Sequence, residues 1–306
     1  MAVKTFLPRW HPRGLNNGLI FGTTYHGVSK LPKAAAYGLG HLGAWCAYRW
    51  QRAGTEALVD NARAILPDAD EATLQALALR TYRSYARDTV DFIRALSMTD
   101  EQIRANVNHL NGEPLFEAIR NGTGALTVSP HFGNWELGGV LLRRLTDIPL
   151  SVVASRERSE DVDRRRREFR AALEIETITV REGMDAAFRI RAELDRNRIV
   201  ALLVDRHLGK DRLEVRFFGR RAFFLRTPAL LAFFTGAPLI PSFVYRGDDG
   251  RFNIDCGPAI HVSRAGNRDD NIRAATQQVA DEIERYIRRY PHYWYQFYRF
   301  WQSQTD

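Results

Sequence analysis

Apolar and polar positions fall into two textures along this chain. Up to about residue 105 the spacing is helical. In ATLQALALRTYRSYARDTVDFIRAL, opened by Asp70 and Glu71, apolar residues recur every three or four positions and predict a long amphipathic helix. Pro67-Asp68-Ala69-Asp70 is a natural break ahead of it. From about residue 106 short apolar runs alternate with helical stretches. GALTVS (124–129), PLSVVAS (149–155), ETITV (176–180), IVALLV (199–204) and PLIPSFVY (238–245) predict strands, and RFNIDCG (251–257) an edge strand. Helices are expected over 135–145, 159–173, 184–196, 228–235 and 268–290. Buried runs separated by helices imply an α/β fold, a mostly parallel central sheet covered by helices on both faces. An N-terminal helical region, 1–105, precedes an α/β domain spanning 106–306. In open sheets of this kind, sites lie beyond the carboxyl ends of the strands, here just after Ser129, Ser155, Val180 and Val204.

Composition narrows the classes. The chain has 306 residues, 45% of them apolar, enough for one large domain or two ordinary ones. Two distant cysteines, Cys46 and Cys256, exclude a disulfide scaffold or cysteine-rich zinc module and fit a reducing compartment. The N-terminus has no continuous apolar run of the secretory type. Residues 34–48 lack charge but are too short to span a bilayer and contain three glycines. Residues 227–245 are interrupted by Gly236, Pro238 and Pro241. No transmembrane helix is expected, which leaves peripheral attachment through an apolar patch and a basic rim. Net charge is +8, and only four of the 44 basic residues are lysines. Arginine's fork suits phosphate and carboxylate, so an anionic partner fits, although a GC-rich genome accounts for the bias equally well.

Candidate chemistry concentrates in SPHFGNWELGG, after the first strand of the alternating region. His131 stands at the strand end and Glu136 five residues later. Five residues on a continuous helix rotate about 500°, so the two side chains meet only if the chain turns between them. Gly133 supplies the turn, Asn134 is a suitable N-cap, and Glu136 falls in the first helical turn. A carboxylate bonded to one imidazole nitrogen fixes the tautomer and leaves the other basic, able to take a proton from an attacking hydroxyl. The spacing itself is common; its place at a strand's carboxyl end, before a glycine-rich turn, carries the weight. Arg156 follows the second strand, and Asp205 with Arg206 ends another; each could line the site or form a surface ion pair. Ser129 is not in a nucleophile elbow. The eight histidines show no metal-ligand spacing, so no metal or other cofactor is expected.

SPHFGNWELGG resembles the His-x4-Asp/Glu block of the bacterial late acyltransferases of lipid A biosynthesis and of the related phosphatidylinositol mannoside acyltransferases, within the lysophospholipid acyltransferase superfamily. VVASRERSEDVDRRRREFR is similar to that family's second block, and IVALLVDRHLGKDRLEVRFFGRRAFFLRTPALLAFFTGAPLIP to its third. IERYIRRYPHYWYQFYRFW resembles its closing segment. The likeness covers roughly residues 40–301. Two departures stand out: the N-terminus is more polar than in many lipid A enzymes, and Arg206 follows Asp205 as in the mannoside-type branch.

The resemblance implies transfer of a fatty acyl chain from a thioester, on acyl carrier protein or coenzyme A, to a hydroxyl of a membrane glycolipid such as a lipid A precursor. A mannoside-type or other lysophospholipid acceptor is the alternative. His131 is then the general base and Glu136 its orienting acid, with Asn134, Arg156, Asp205 and Arg206 binding substrate. Backbone amides near Gly133 or an arginine would stabilise the oxyanion. The expected location is peripheral, on the cytoplasmic face of the inner membrane, against an anionic surface. The run Arg164–Arg167 covers all sides of a helix and reads as a solvated face or a contact for anionic lipid or carrier protein. The aromatic tail from Tyr290 to Trp301 either packs on the sheet or lies at a lipid boundary. The competing classes are an esterase that activates water, a non-catalytic lipid-binding relative, and a basic nucleic-acid-binding protein. The last lacks any recognition motif and is not expected.

Overall fold

A computed structural model describes residues 27–28, 30–155, 160–180, 185–206 and 209–302. Helices α1 (Lys33–Trp50), α2 (Arg52–Ile65), α3 (Glu71–Ala95) and α4 (Asp100–Asn106) come first. Helix α3 starts where the sequence marks it: the Asp70 carboxylate accepts the Thr73 N–H at 2.8 Å. Helix α4 opens with a reciprocal capping box between Thr99 and Gln102. The chain passes directly from Asn106 into β1 (Val107–Asn111), then α5 (Glu113–Arg120), β2 (Ala125–Ser129), α6 (Trp135–Leu145) and β3 (Leu150–Ser155). There follow α7 (Glu160–Ala172), β4 (Glu176–Val180), α8 (Asp185–Asp195) and β5 (Ile199–Leu203). A hairpin, β6 (Leu213–Phe217) and β7 (Arg220–Phe224), leads to α9 (Thr227–Thr235), β8 (Leu239–Arg246), β9 (Phe252–Cys256) and α10 (Arg268–Arg289). A short 3-10 turn at Pro291–Tyr293 precedes the aromatic tail.

The main sheet has seven strands in the order β1-β9-β8-β2-β5-β3-β4, parallel throughout except where β8 meets β9. Period-two alternation divides its side chains between two covered faces. On one face Leu126, Val128, Val200 and Phe243 pack with Ile190, Leu194, Leu231, Ile272 and Ile283 from α8, α9 and α10. On the other, Ala125, Ile199 and Ile240 pack with Leu115, Ala118 and Leu142 from α5 and α6. The first core also takes in Leu58, Ala62, Leu74 and Tyr82 from α2 and α3.

Three elements differ from expectation. Strand β9 is interior, between β8 and β1, and the edge is β1. Its sequence, VNHLN, is polar and mostly exposed, so no apolar run announces it. The β6–β7 hairpin is likewise disguised by charge, Glu214 pairing with Arg221 on its outer side. The aromatic tail takes the first of its two expected places and packs inward: Tyr293, Trp294, Tyr295, Phe297 and Phe300 are all buried. Both cysteines are free, and among the described residues no helix is long and apolar enough to cross a membrane.

Candidate active site

Strands β2 and β5 are hydrogen-bonded neighbours, Ser129 lying opposite Leu203, so their carboxyl ends emerge side by side. His131 follows the first and Asp205 the second. The imidazole Nδ1 lies 2.6 Å from Asp205 Oδ1, and the His131 backbone N–H donates to Oδ2 at 3.0 Å. With the carboxylate as acceptor, the proton resides on Nδ1 and Nε2 keeps its lone pair. Nε2 is bonded to none of the described residues, and the side chain is 16% exposed. The Trp135 ring stands edge-on to the imidazole, centroids 5.3 Å apart.

The loop carrying His131 is held from both sides. Phe132 is fully buried, its ring among Phe243, Tyr245 and Tyr293. Gly133 has φ +55°, and a Cβ there would lie 2.0 Å from the Val244 carbonyl oxygen, so no other residue fits without moving β8. The Gly133 N–H donates to Tyr293 O and the Asn134 N–H to Val244 O, both at 2.8 Å. The Tyr295 N–H returns a bond to His131 O at 2.8 Å. The four amides from His131 to Asn134 are therefore all engaged, which removes them as the expected oxyanion donors.

Asp205 is completely buried. Its Oδ2 also accepts from Trp294 Nε1 (3.1 Å) and Gln296 Nε2 (2.5 Å), both from the closing segment. Burial would raise its pKa, but His131 and Arg206 outweigh that and hold it at about 2. For His131, burial and the Arg206 charge prevail over the attraction of Asp205 and Glu136, so its pKa lies below the ordinary histidine value. The imidazole is neutral near pH 7 and able to accept a proton.

Glu136 does not bond His131. From the first turn of α6 its carboxylate faces α7: Arg170 Nη2 reaches both oxygens at 3.1 Å and Arg166 Nη1 reaches Oε1 at 3.2 Å. Burial disfavours its charge, yet Arg170 and Arg166 prevail and lower its pKa. The reason is geometric. The turn at Gly133 aims the imidazole at the end of β5, while the start of α6 aims Glu136 at the neighbouring helix. The arginine run is correspondingly divided: Arg166 turns inward to Glu136, while Arg164 and Arg167 lie within 4.0 Å and 3.2 Å of Glu168 and Asp163.

The other expected residues fall in different places. Asn134 is buried and caps α6: its Oδ1 accepts from Leu137 N, and its Nδ2 donates to Asp88 O at 2.8 Å. It braces the turn from within the protein. Asp205, read from sequence as lining the site, is instead the partner of the imidazole. Arg206 donates Nε to Gln296 Oε1 and Nη2 to Tyr295 O, each at 3.2 Å, and sits over the Tyr298 ring. Arg156 and the loop after Val180 lie outside the described residues.

Sequence reasoning missed Trp294, Tyr295, Gln296 and Asp88 as parts of the site. Asp88 is buried in α3 and accepts the Tyr295 O–H on Oδ2 at 2.6 Å. Burial and the neighbouring Asp91 raise its pKa to about 7. A polar Gln296 among aromatics was the available signal in the tail. Among the described residues no cluster of histidine, cysteine and carboxylate side chains could hold a metal ion.

The sequence model of a family described as bacterial lipid A biosynthesis acyltransferase matches residues 17–303. A protein of Mycolicibacterium smegmatis named phosphatidylinositol mannoside acyltransferase is 29% identical over 275 residues, covering 90% of this chain and 88% of that protein. A Mycobacterium tuberculosis protein of the same name is 27% identical over 277 residues, 90% of this chain and 85% of its own length.

Proposed function

The chain belongs to the bacterial lipid A biosynthesis acyltransferase family, an O-acyltransferase with an acyl donor and a lipid acceptor, and on that premise we propose direct acyl transfer from a thioester to a glycolipid hydroxyl with His131 as general base. The observation that carries this reading is the imidazole fixed through Nδ1 by a buried carboxylate, with Nε2 open. The acceptor hydroxyl gives its proton to Nε2 while its oxygen attacks the thioester carbonyl. The tetrahedral intermediate then collapses, the carbon–sulfur bond breaks, and the thiolate leaves as thiol with the proton held on Nε2. Asp205 orients the ring and stabilises the imidazolium. Glu136 adds its field from a greater distance and anchors Arg166 and Arg170 beside the site. With the loop amides engaged, the oxyanion donor is a guanidinium, and Arg206 is the described one whose charge acts on His131.

A glycosylated phospholipid is the acceptor best supported. The curated relatives carry mannoside names, and the resemblance of the Asp205-Arg206 pair to that branch points the same way. A lipid A precursor is the second acceptor on the same reading, with acyl carrier protein or coenzyme A carrying the chain.

Docking to an anionic bilayer on the cytoplasmic face is assigned to the N-terminal helices. Helix α1 has no charged residue between Lys33 and Arg49. It leaves Leu39 and Leu42 each 58% exposed, Trp45 47% and Trp50 77%.

The test incubates purified protein with acyl-coenzyme A or acyl carrier protein thioester and each acceptor, and reads the ester product by mass spectrometry. An acylated acceptor, absent with His131→Ala, is the expected result. Free fatty acid without acylated acceptor would identify a hydrolase.

A further inference from the structure

Gln296 is fully buried beside the charged pair of neighbours that ends β5, and its side-chain amide touches both of them. Nε2 donates to Asp205 Oδ2 at 2.5 Å, and Oε1 accepts from Arg206 Nε at 3.2 Å. Its backbone is fixed as well, since Asn61 Nδ2 of α2 donates to Gln296 O at 2.9 Å. Among the described residues, Asp205 Oδ2 thus receives three donors (the His131 amide, the Trp294 indole and this amide), whereas Oδ1 receives the imidazole N–H alone. An amide carries a donor and an acceptor on one planar group, so it can satisfy a carboxylate and a guanidinium at once without adding charge. Arg206, next in the chain to Asp205, is free of a direct ion pair with it because its Nε and Nη2 are spent on Gln296 and Tyr295 O.

We infer that Gln296 is a positioning residue: it stands between Asp205 and Arg206, keeps the guanidinium off the carboxylate, and so reserves Oδ1 for His131. This rests on the reading of His131 as the base. Two substitutions separate the inference from a merely structural role because they push the imidazole in opposite directions. Gln296→Glu keeps the shape, replaces the donor to Asp205 by a carboxylate paired with Arg206, and offsets the guanidinium charge that depresses the ring. The His131 midpoint then rises by about one pH unit. Gln296→Met removes both bonds and lets Arg206 pair directly with Asp205, neutralising part of the negative charge that stabilises the imidazolium. The midpoint then falls, and kcat drops with little change in KM.

The experiment titrates 15N-histidine-labelled full-length protein by NMR, with the His131 resonance identified by its loss in His131→Ala. The acid limb of kcat/KM is measured in parallel on the same variants. The expected result is a higher midpoint for the glutamate variant and a lower one for the methionine variant, each matched by the acid limb of the rate. At a fixed pH well below both midpoints, kcat/KM of the glutamate variant, relative to its own plateau, is about tenfold lower than that of wild type. An unmoved midpoint in either folded variant, or movement of both in one direction, overturns the inference. If only one variant folds, its direction decides. A midpoint that moves while the rate profile does not leaves Gln296 as inferred and removes His131 as the base.

Discussion

His131 Nδ1 and Asp205 Oδ1 lie 2.6 Å apart across 74 residues of sequence, joined because β2 and β5 are adjacent in the sheet although they are not consecutive in the chain. The carboxylate that follows His131 by only five residues points elsewhere, to Arg166 and Arg170. The acid of the sequence motif and the acid that holds the imidazole are therefore different residues.

Substitution measures the difference. His131→Ala should lower kcat by about 10²–10⁴, the usual worth of a general base. Asp205→Asn should cost a comparable factor, because an amide can accept or donate at Nδ1 and no longer fixes the tautomer. Glu136→Gln leaves the imidazole bond intact and should cost kcat clearly less than Asp205→Asn. Steady-state kinetics on the three purified variants, with circular dichroism to confirm folding, checks the order. A Glu136→Gln loss as deep as that of Asp205→Asn would restore Glu136 to the orienting role.

The pH dependence follows from the same pair. Burial and Arg206 hold His131 below the ordinary value of 6.5, so the basic, neutral ring is present at neutral pH and lost only on acidification past its lowered midpoint. The acid limb of kcat/KM should therefore lie below pH 6.5, with a plateau through pH 7. A limb above 6.5 would contradict the balance of charges around the ring.

Much of this was legible in the sequence, for physical reasons that differ by element. Strands β2, β5 and β8 are buried on both faces and so appear as continuous apolar runs, and α6 and α10 as amphipathic periods. His131 was legible as a strand-end residue, and Asp205 as another. Their pairing was not, because it depends on which strands are neighbours, and strand order is a property of the assembled sheet. β1 was hidden for the opposite reason: an exposed edge strand has no apolar run to show. The roles of Trp294 and Gln296 depend on how the tail folds back over the sheet, which spacing within the tail does not encode.

Gly133 offers a sharp stability test. Its φ of +55° disfavours any L side chain, and an added Cβ would collide with a backbone oxygen of β8 that cannot rotate away. Gly133→Ala should cost several kcal/mol, on the order of other strained or overpacked sites, or prevent folding. Gly122 has φ +73° with open space around it, so Gly122→Ala should cost only the backbone strain of about 1–2 kcal/mol. Denaturant melts of the two variants give the contrast. Equal losses would mean that the contact with Val244 is not what demands glycine.

Bilayer docking through α1 predicts a separation of binding from chemistry. Replacing Leu42 and Trp45 by aspartate sets charges on exposed positions of α1, neither of which bonds His131 or Asp205. Cosedimentation with vesicles containing anionic lipid should fall about tenfold or more, while turnover of a detergent-dispersed acceptor should stay near wild type. Unchanged vesicle binding would remove this face as the membrane contact.

Asp88 supplies the last test, in stability against pH. Its carboxyl is buried beside Asp91, and its pKa is raised from the ordinary 3.8 to about 7. A raised acid is favoured in its protonated form by the folded state. Its contribution is therefore fully present below pH 3.8 and is lost as pH rises through 7. Above that pH a buried negative charge must be accommodated beside the Tyr295 O–H and the catalytic loop. Asp88→Asn keeps an acceptor for Tyr295 O–H and the backbone carbonyl for Asn134, but never ionises. The variant should thus be more stable than wild type at pH 8, on the order of a few kcal/mol at most, with the gap closing as pH falls toward 5. Urea melts of both proteins across that range measure it. A gap that does not vary with pH would show that Asp88 stays in one protonation state throughout.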